Sequence, residues 1–464
     1  YDYRQKYLLE ANLRYDGTSR FRRETRWALL PSVSAGWNMA YEDFWKPLSP
    51  YVGSLKFRGS YGELGNQNTS SWYPTYQTMT IGASNGSWLL NNAKPNTASA
   101  PGLVSSTLTW ERVKTINAGF DFGAFGHRLT GSFDFFNRYT LDMVGPAPEL
   151  PVTLGTAVPK TNNTDLKTYG FELSVGWNDR LKNGLGYRVN MMLSDSQTEI
   201  TRYPNETGRL DTYREGMKIG EIWGYTTQGI AKTDEDMNVH LESLPNGGQN
   251  ALGNLWRGGD IMYQDINGDG KINNGANTIN DHGDLKVIGN NSPRYHLGLD
   301  VSADYRGFDF RVFFQGILKR EYYNGGYFFY GASGQSIWAS VGFEPHKDYF
   351  RDDPNHPLGL NLDSYFARPY FNWKNQQAQT RYVQDASYIR VKNLQLGYTL
   401  PQTLTDKFAV SSLRFFVSGE NLLTFTNMFE VFDPETVDGG NSGTQKGSGY
   451  PLMKAVSLGL SINF

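Results

Sequence analysis

The stretch "YHLGLDVSADYRGFDFRVFF" (residues 295–314) decides how the rest of the chain is read. Tyr295, Leu297, Leu299, Val301, Ala303 and Tyr305 alternate with His296, Gly298, Asp300, Ser302 and Asp304. A period of two belongs to a strand with one apolar and one polar face. Arg306-Gly307 then makes a two-residue turn, and Phe308, Phe310, Val312 and Phe314 resume the pattern beside Asp309 and Arg311. The pair reads as a hairpin, greasy on one side and charged on the other.

The pattern recurs along the chain. The end, "KAVSLGLSINF" (454–464), sets Val456, Leu458, Leu460, Ile462 and Phe464 against Ser457, Gly459, Ser461 and Asn463. Ile116, Ala118, Phe120 and Phe122 alternate with polar or small neighbours, "GAFGH" follows, and Leu129, Gly131, Phe133 and Phe135 continue beyond it. Further strands are expected near 6–16, 28–40, 54–64, 167–178, 186–202, 219–232, 387–400 and 413–425. That makes roughly 13, many of them longer than the usual strand of a globular sheet, and no long helix competes with them. Asp121, Asp134, Asp300, Asp304, Asp309 and Arg311 all fall on polar faces.

The connections come in two sizes. "GAFGH" and "RG" are tight, whereas 65–107, 203–218, 233–293, 319–385 and 426–452 are long. Compact soluble domains rarely carry several such loops, but membrane barrels do, with short turns at one rim and long loops at the other. Alternation alone also fits a soluble sandwich.

Composition narrows the class. The 464 residues include 51 glycines, 29 tyrosines and 27 phenylalanines, with mean hydropathy of -0.53. Extended, turn-punctuated structure follows from such usage. A net charge of -2 gives no electrostatic case for nucleic acid. The chain has no cysteine, which excludes disulfides and thiolate metal sites. No stretch reaches the roughly 18–20 apolar residues of a membrane helix. The strand-like opening "YDYRQKYLLEANLRYDG" lacks an initiator Met and a leader, so a mature or cleaved piece of a longer protein is expected.

Several ordered blocks carry a more specific likeness. "LRYDGTSRF" with "RWALLPSVSAGWNMAYEDFW" (13–45), "LKFRGSYGELGNQ" (55–67), "DINGDGKI" (265–272), "VIGNNSPRYHLGLDVSADYRGFDF" (287–310), "DASYIRVKNLQLGYTLP" (385–401), "SGENLLTFT" (418–426) and the final "VSLGLSINF" resemble the SusC/RagA family of TonB-dependent outer-membrane transporters of Bacteroidetes. The resemblance implies an all-β fold: residues 1–464 as the C-terminal portion, about 13–14 strands, of a 22-stranded antiparallel transmembrane barrel. On this resemblance the N-terminal extension, TonB box, plug and first strands of that family are expected to be absent from this chain. The resemblance further implies outer-membrane import of oligosaccharides or oligopeptides, with a SusD-like surface lipoprotein as lid. TonB with ExbB and ExbD would drive it through the plug. No enzymatic activity is implied. The alternative is a secreted, calcium-dependent glycan-binding β-sandwich, and a polysaccharide-cleaving enzyme is a third class.

Local motifs add candidate sites. In "DINGDGKINN", Asp265, Asn267, Asp269, Lys271 (through its carbonyl) and Asn273 occupy positions 1, 3, 5, 7 and 9 of a Ca²⁺ loop, with Gly270 at the turn. Position 12 is Ala276 in place of the bidentate Glu, leaving Asp260, Asp281 or Asp284 to supply a carboxylate. The competing interpretation is a run of Asx turns without metal. "GASNG" (82–86) matches the nucleophile pattern G-x-S-x-G but lies in a polar loop, without the strand and helix that pattern needs. The six histidines show no ligand spacing, and no catalytic constellation stands out. Trp72, Tyr76, Tyr327 and Trp373, in aromatic-rich loops, are candidates for stacking on sugars or gripping peptides; loop packing is the competing role.

Overall fold

The computed structural model describes residues 1–69, 71–82, 89–98, 101–145, 153, 158–333, 336–437 and 449–464. Thirteen strands form one antiparallel sheet whose order follows the chain. They are β1 (Asp2–Tyr3), β2 (Tyr7–Gly17), β3 (Trp27–Asn38), β4 (Val52–Asn66), β5 (Glu111–Ala124), β6 (Leu129–Val144) and β7 (Asn162–Arg180). Then follow β8 (Gly186–Arg202), β9 (Arg294–Tyr305), β10 (Phe308–Lys319), β11 (Tyr388–Thr399), β12 (Ser412–Thr426) and β13 (Ala455–Asn463). From β2 onward the strands run 9 to 19 residues. Nine to eleven tilted residues suffice to cross a bilayer.

The chain divides into two compact units: Tyr1–Glu172 with Ser196–Thr207 and Thr212–Lys218, and Leu173–Asp195 with Gly208–Asp211 and Ile219–Phe464. In the first unit the apolar face carries an aromatic ladder in direct register, Trp37↔Phe57↔Phe120↔Phe133. Successive ring centroids lie 6.1, 6.1 and 5.8 Å apart, and Phe171 extends the row at 6.1 Å from Phe133. Such cross-strand pairs lock register, because a one-residue slip would turn every ring to the polar side. Where β3 and β5 meet their long connections, Phe21, Ala28, Leu30, Leu108 and Trp110 close a small core. Trp110 Nε1 donates to the Arg26 carbonyl at 2.8 Å, which ties segment 18–26 to segment 67–110.

In the second unit, the hairpin of β9 and β10 pairs Tyr305 with Phe308 around Arg306-Gly307. Both turn residues have positive φ, +47° and +90°, as the hairpin turn matched to strand twist requires. The long connections here, 219–293, 320–333, 336–387 and 427–437, form a body with its own aromatic core.

One expected strand belongs to that body and not to the sheet. Within 219–232, Glu221–Gly224 pairs with Lys286–Asn290, and Thr227–Ile230 pairs with Ile261–Tyr263, each as a separate two-stranded sheet. Alternation there serves a different core: Tyr225 and Ile230 pack with Ile261 and Tyr263 inside the loop body. The expected loops 203–218 and 233–293 are therefore one connection. Asp2–Tyr3 takes the thirteenth place instead. The same connection also holds a helix that the sequence pattern does not show, α1 (Asp234–Glu242), closed by a capping box between Thr233 and Asp236. Only Met237 and His240 are buried on it, too few for a period of 3.6 to emerge.

Candidate functional site

The polar strand faces are organised as charge pairs bridged over glycine. In the first unit, Arg58, Gly119 and Asp134 stand abreast on β4, β5 and β6. With no side chain between them, Arg58 reaches Asp134 at 2.7 Å and forks onto Asp121 at 2.9 Å. A Cβ on Gly119 would lie 2.6 Å from the Asp134 carboxylate and 2.5 Å from the Phe133 carbonyl. The second unit repeats the device twice. Gly397 lies opposite Asp309 and leaves room for Arg414 to reach it at 2.6 and 2.9 Å. Gly186 lies opposite Asp304, which Arg180 reaches at 2.7 Å. Arg311 joins Asp300 at 2.5 Å. Each carboxylate singled out on the polar faces thus has a guanidinium partner in a charge-assisted, often forked geometry. The sequence shows the charges but not the intervening glycines, which matter only once register is known.

The loop body of the second unit is built on Phe329, whose ring meets Tyr330, Tyr365, Phe366, Tyr382, Phe429 and Phe432 within 6.5 Å. Burial holds the phenols of Tyr263 and Tyr330 well above their ordinary range, so both remain neutral hydrogen-bond donors. Lys374 is buried against Asp260 (2.7 Å), with its ammonium 4.3 Å from the Tyr370 ring and 5.2 Å from that of Trp256. Asn375 donates to the second oxygen of Asp260 at 2.8 Å. Arg390, at the start of β11, holds Asp433 (2.6 Å) and Glu435 (2.8 Å), and Lys392 holds Glu435 (2.7 Å). These pins fix segment 427–437 to the top of the strand.

The structure brings the expected Ca²⁺ loop together as a chain of Asx turns. Asp265 accepts from Gly268 N (2.7 Å) and Gly270 N (2.8 Å), Asn267 from Asp269 N (3.0 Å), and Asp269 from Lys271 N (3.2 Å). Asn273 Oδ1 accepts from Gly275 N at 2.6 Å. Gly268 and Gly270 adopt φ of +75° and +78°, open to glycine at little cost. Of the three candidate closing carboxylates, Asp284 joins both ends of the motif, accepting from Ile266 N and Asn273 N at 2.8 Å each. Burial and the nearby Asp265 charge push its carboxyl up, against the backbone donors that pull it down. Asp281 instead accepts from Ala276 N, and Asp260 is committed to Lys374. Among the described residues no three His, Cys, Asp or Glu side chains converge as a metal cage. A cation here would therefore need Asp265, Asp269 and Asp284 drawn closer together than they stand, along with the Asn side chains and the Lys271 carbonyl.

The aromatic candidates separate. In the first unit, Trp72 is exposed with the Arg20 guanidinium 4.2 Å from its ring, and Tyr76 is exposed with an edge contact to Tyr73. In the second, Tyr327 opens the short helix Tyr327–Tyr330 and packs on Phe328 at 4.5 Å, while Trp373 is exposed beside Lys374. Residues 83–86 of "GASNG" lie outside the described residues.

Comparison with known proteins agrees with this geometry. Residues 1–422 match the family model described as TonB dependent receptor-like, beta-barrel. The TonB-dependent receptor P3 of Formosa agariphila is 27% identical over the whole chain, which spans 44% of that protein. The TonB-dependent receptor SusC of Bacteroides thetaiotaomicron is 24% identical over the whole chain, which spans 43% of it. The chain thus covers less than half the length of these curated relatives. Among solved structures, the RagAB peptide transporter superposes with a TM-score of 0.72 over 99% of this chain and 46% of its own, at 22% identity. With its meander of long two-faced strands and its alternation of tight turns and large loops, the chain belongs to the TonB-dependent receptor-like β-barrel family.

Proposed function

We propose that this chain supplies wall strands and external loops of a TonB-driven outer-membrane importer of oligosaccharides or oligopeptides. A SusD-like surface lipoprotein would cover its mouth. The observation that carries the reading is the segregation of faces. Aromatic and aliphatic side chains gather on one side of the long strands, while the other side carries small and polar residues and, on several strands, paired charges such as Arg58 with Asp121 and Arg414 with Asp309, suited to water or to a polar insert. Large connections at one rim supply binding surface, as loops on a rigid scaffold commonly do. The structural relative described as a peptide transporter favours peptides among the candidate cargoes. TonB, with ExbB and ExbD, would act through segments preceding this chain. In this reading the protein catalyses no bond-making step. Trp72, Tyr76, Tyr327 and Trp373 are its proposed cargo-contacting residues.

The test is fractionation of cells making the full-length protein, followed by uptake of labelled oligomers with and without TonB. Recovery in the outer membrane and TonB-dependent uptake are expected, with a lipoprotein co-purifying. Recovery in soluble form without detergent would overturn the reading in favour of the secreted glycan-binding module.

The loop of Asp265, Asn267, Asp269, Lys271 and Asn273 is proposed to hold one structural Ca²⁺, with Asp284 as the added carboxylate. The favouring observation is Asp284 buried across both ends of the motif, close enough to Asp265 for their charges to oppose each other. Elemental analysis after dialysis, alongside melting in chelator and in calcium, tests it. Absence of bound calcium together with identical melting would reject it.

A further inference from the structure

A cavity of about 540 Å³ opens in the loop body of the second unit. Tyr365, Val383 and Phe429 give it an apolar, partly aromatic lining. The buried Gln384 fixes the two rings. Its Nε2 donates to Tyr365 Oη at 2.6 Å, and its Oε1 accepts from Phe429 N at 3.2 Å. Two carboxylates share the cavity, Asp348 and Asp385.

Both carboxylates are oriented by neutral groups. Asp348 accepts from Asn361 Nδ2 at 2.8 Å. Asp385 accepts from Ser387 N at 3.0 Å and more weakly from Asn427 Nδ2 at 3.4 Å. Arg381 is the cation lining the cavity: its Nε donates to the Tyr365 carbonyl (2.9 Å) and its Nη2 to the Ser364 carbonyl (2.7 Å), and its guanidinium lies 5.7 Å from the Tyr365 ring, which leaves Phe429 as the lining ring without a cation among the described residues. The neighbouring Lys347 and Glu344 pair with each other at 2.8 Å. Two acids against one base leave the cavity with an excess negative charge. An ionised carboxylate only accepts hydrogen bonds and has lone pairs left after one or two neutral donors.

We propose that this cavity binds an ammonium group, the N-terminus or a lysine side chain of an oligopeptide. The ammonium lies between Asp348 and Asp385, and the adjoining apolar part of the ligand lies over Tyr365 and Phe429. An ammonium supplies three donors to charged acceptors and also gains from an aromatic face nearby. A neutral sugar would satisfy hydrogen bonds but leave the charge excess in place. The inference rests on the import reading and names its substrate class.

The test is calorimetric titration of detergent-purified full-length protein with the peptide Lys-Ala-Lys-Ala, its fully N-acetylated form, and a neutral glucose oligomer. The free-amine peptide should bind at least tenfold more tightly than the acetylated one. The double substitution Asp348→Asn and Asp385→Asn should abolish that preference while leaving the melting temperature unchanged. Equal binding of the two peptides, no peptide binding, or an undiminished preference in the double variant would each overturn the proposal. Tighter binding of the glucose oligomer than of either peptide would do the same. Binding needs no TonB, so a protein that prefers free amines yet imports nothing would sink the import reading and leave the cavity assignment standing.

Discussion

The sheet and the loop body use one alphabet in opposite senses. On β2 and β13, Leu13 and Leu458 are 70% and 86% exposed, whereas in the loop body Tyr263 and Phe329 are fully buried. The body behaves like a small water-soluble protein, with aromatic rings inside and its buried charge compensated. The sheet is inverted, with its apolar side bare and its charges gathered on the opposite face. Hydrophobic residues exposed at this density are costly in water, so the contrast assigns them a nonaqueous neighbour. The two regions should therefore respond oppositely to the same kinds of substitution.

The largest effect is expected at the buried pin of the loop body. Lys374→Ala removes the cation from Asp260, which is fully buried and also accepts from Arg257 N at 2.9 Å. Leaving such a charge uncompensated costs about 3–5 kcal/mol. The loop body should melt early or become protease-sensitive while the sheet stays intact. Combining Lys374→Met with Asp260→Asn should recover much of the loss, because the penalty lies in the orphaned charge and not in the missing attraction. A double variant as unstable as the single would show that the pair was needed for its own attraction.

Next in size is a reversal test on the sheet. Leu458→Arg, in the middle of β13, places a charge on the apolar face, for which about 2–4 kcal/mol is expected at the centre of a bilayer. The adjacent Ser457→Arg points to the polar face and should cost well under half as much. Folding yield into lipid vesicles measures both. Equal penalties would mean that the two faces of β13 see the same surroundings, and the contrast between sheet and body would lose its basis.

Much of this contrast was legible in the residues, and its blind spots have physical causes. Alternation located all the long strands, because period two survives whichever medium the apolar face meets. For the same reason it could not distinguish sheet from loop body at 219–232, where Trp223 and Tyr225 alternate with Gly224 and Thr226 as in a wall strand. What differs there is the partner: Glu221–Gly224 pairs with Lys286–Asn290, some sixty residues on, and that pairing is not encoded locally. The charged positions were likewise visible, but Gly119 and Gly397 read as ordinary glycines until register placed each beside an Arg–Asp pair. The Asp-Asn-Asp motif indicated a tight loop with Asp260, Asp281 and Asp284 as added carboxylates, but only the fold shows that Asp284 is the one accepting from both ends, at Ile266 N and Asn273 N.

Glycine as spacer gives the third test. Gly119→Val puts methyl groups where Arg58 crosses to Asp134, and overpacking of this kind costs about 1–3 kcal/mol. Gly59→Val should be milder, because a Cβ there meets no atom closer than 3.9 Å. If the two variants melt together, the open lane between Arg58 and Asp134 is incidental to stability.

The smallest effect separates the regions by pH. His240, buried on α1 with its Nε2 3.1 Å from Gln249 Oε1, is held below the usual imidazole range, with desolvation outweighing the Gln249 hydrogen bond. The unfolded chain therefore binds this proton more readily than the folded one. Stability is full above the ordinary value near 6.5 and falls as pH drops from there toward the depressed folded value, by about 1 kcal/mol or less. The loss belongs to the loop body, since Gln249 also donates to the Ile261 carbonyl and accepts from Tyr263 N in the same core. His240→Leu keeps an apolar side chain on that face of the helix and removes the titration. Proteolysis of the loop body at pH 7.5 and pH 5.5 should then show a smaller acid-induced rise in cleavage for the variant than for the parent. An equal rise in both would place the acid sensitivity elsewhere and detach it from the buried histidine.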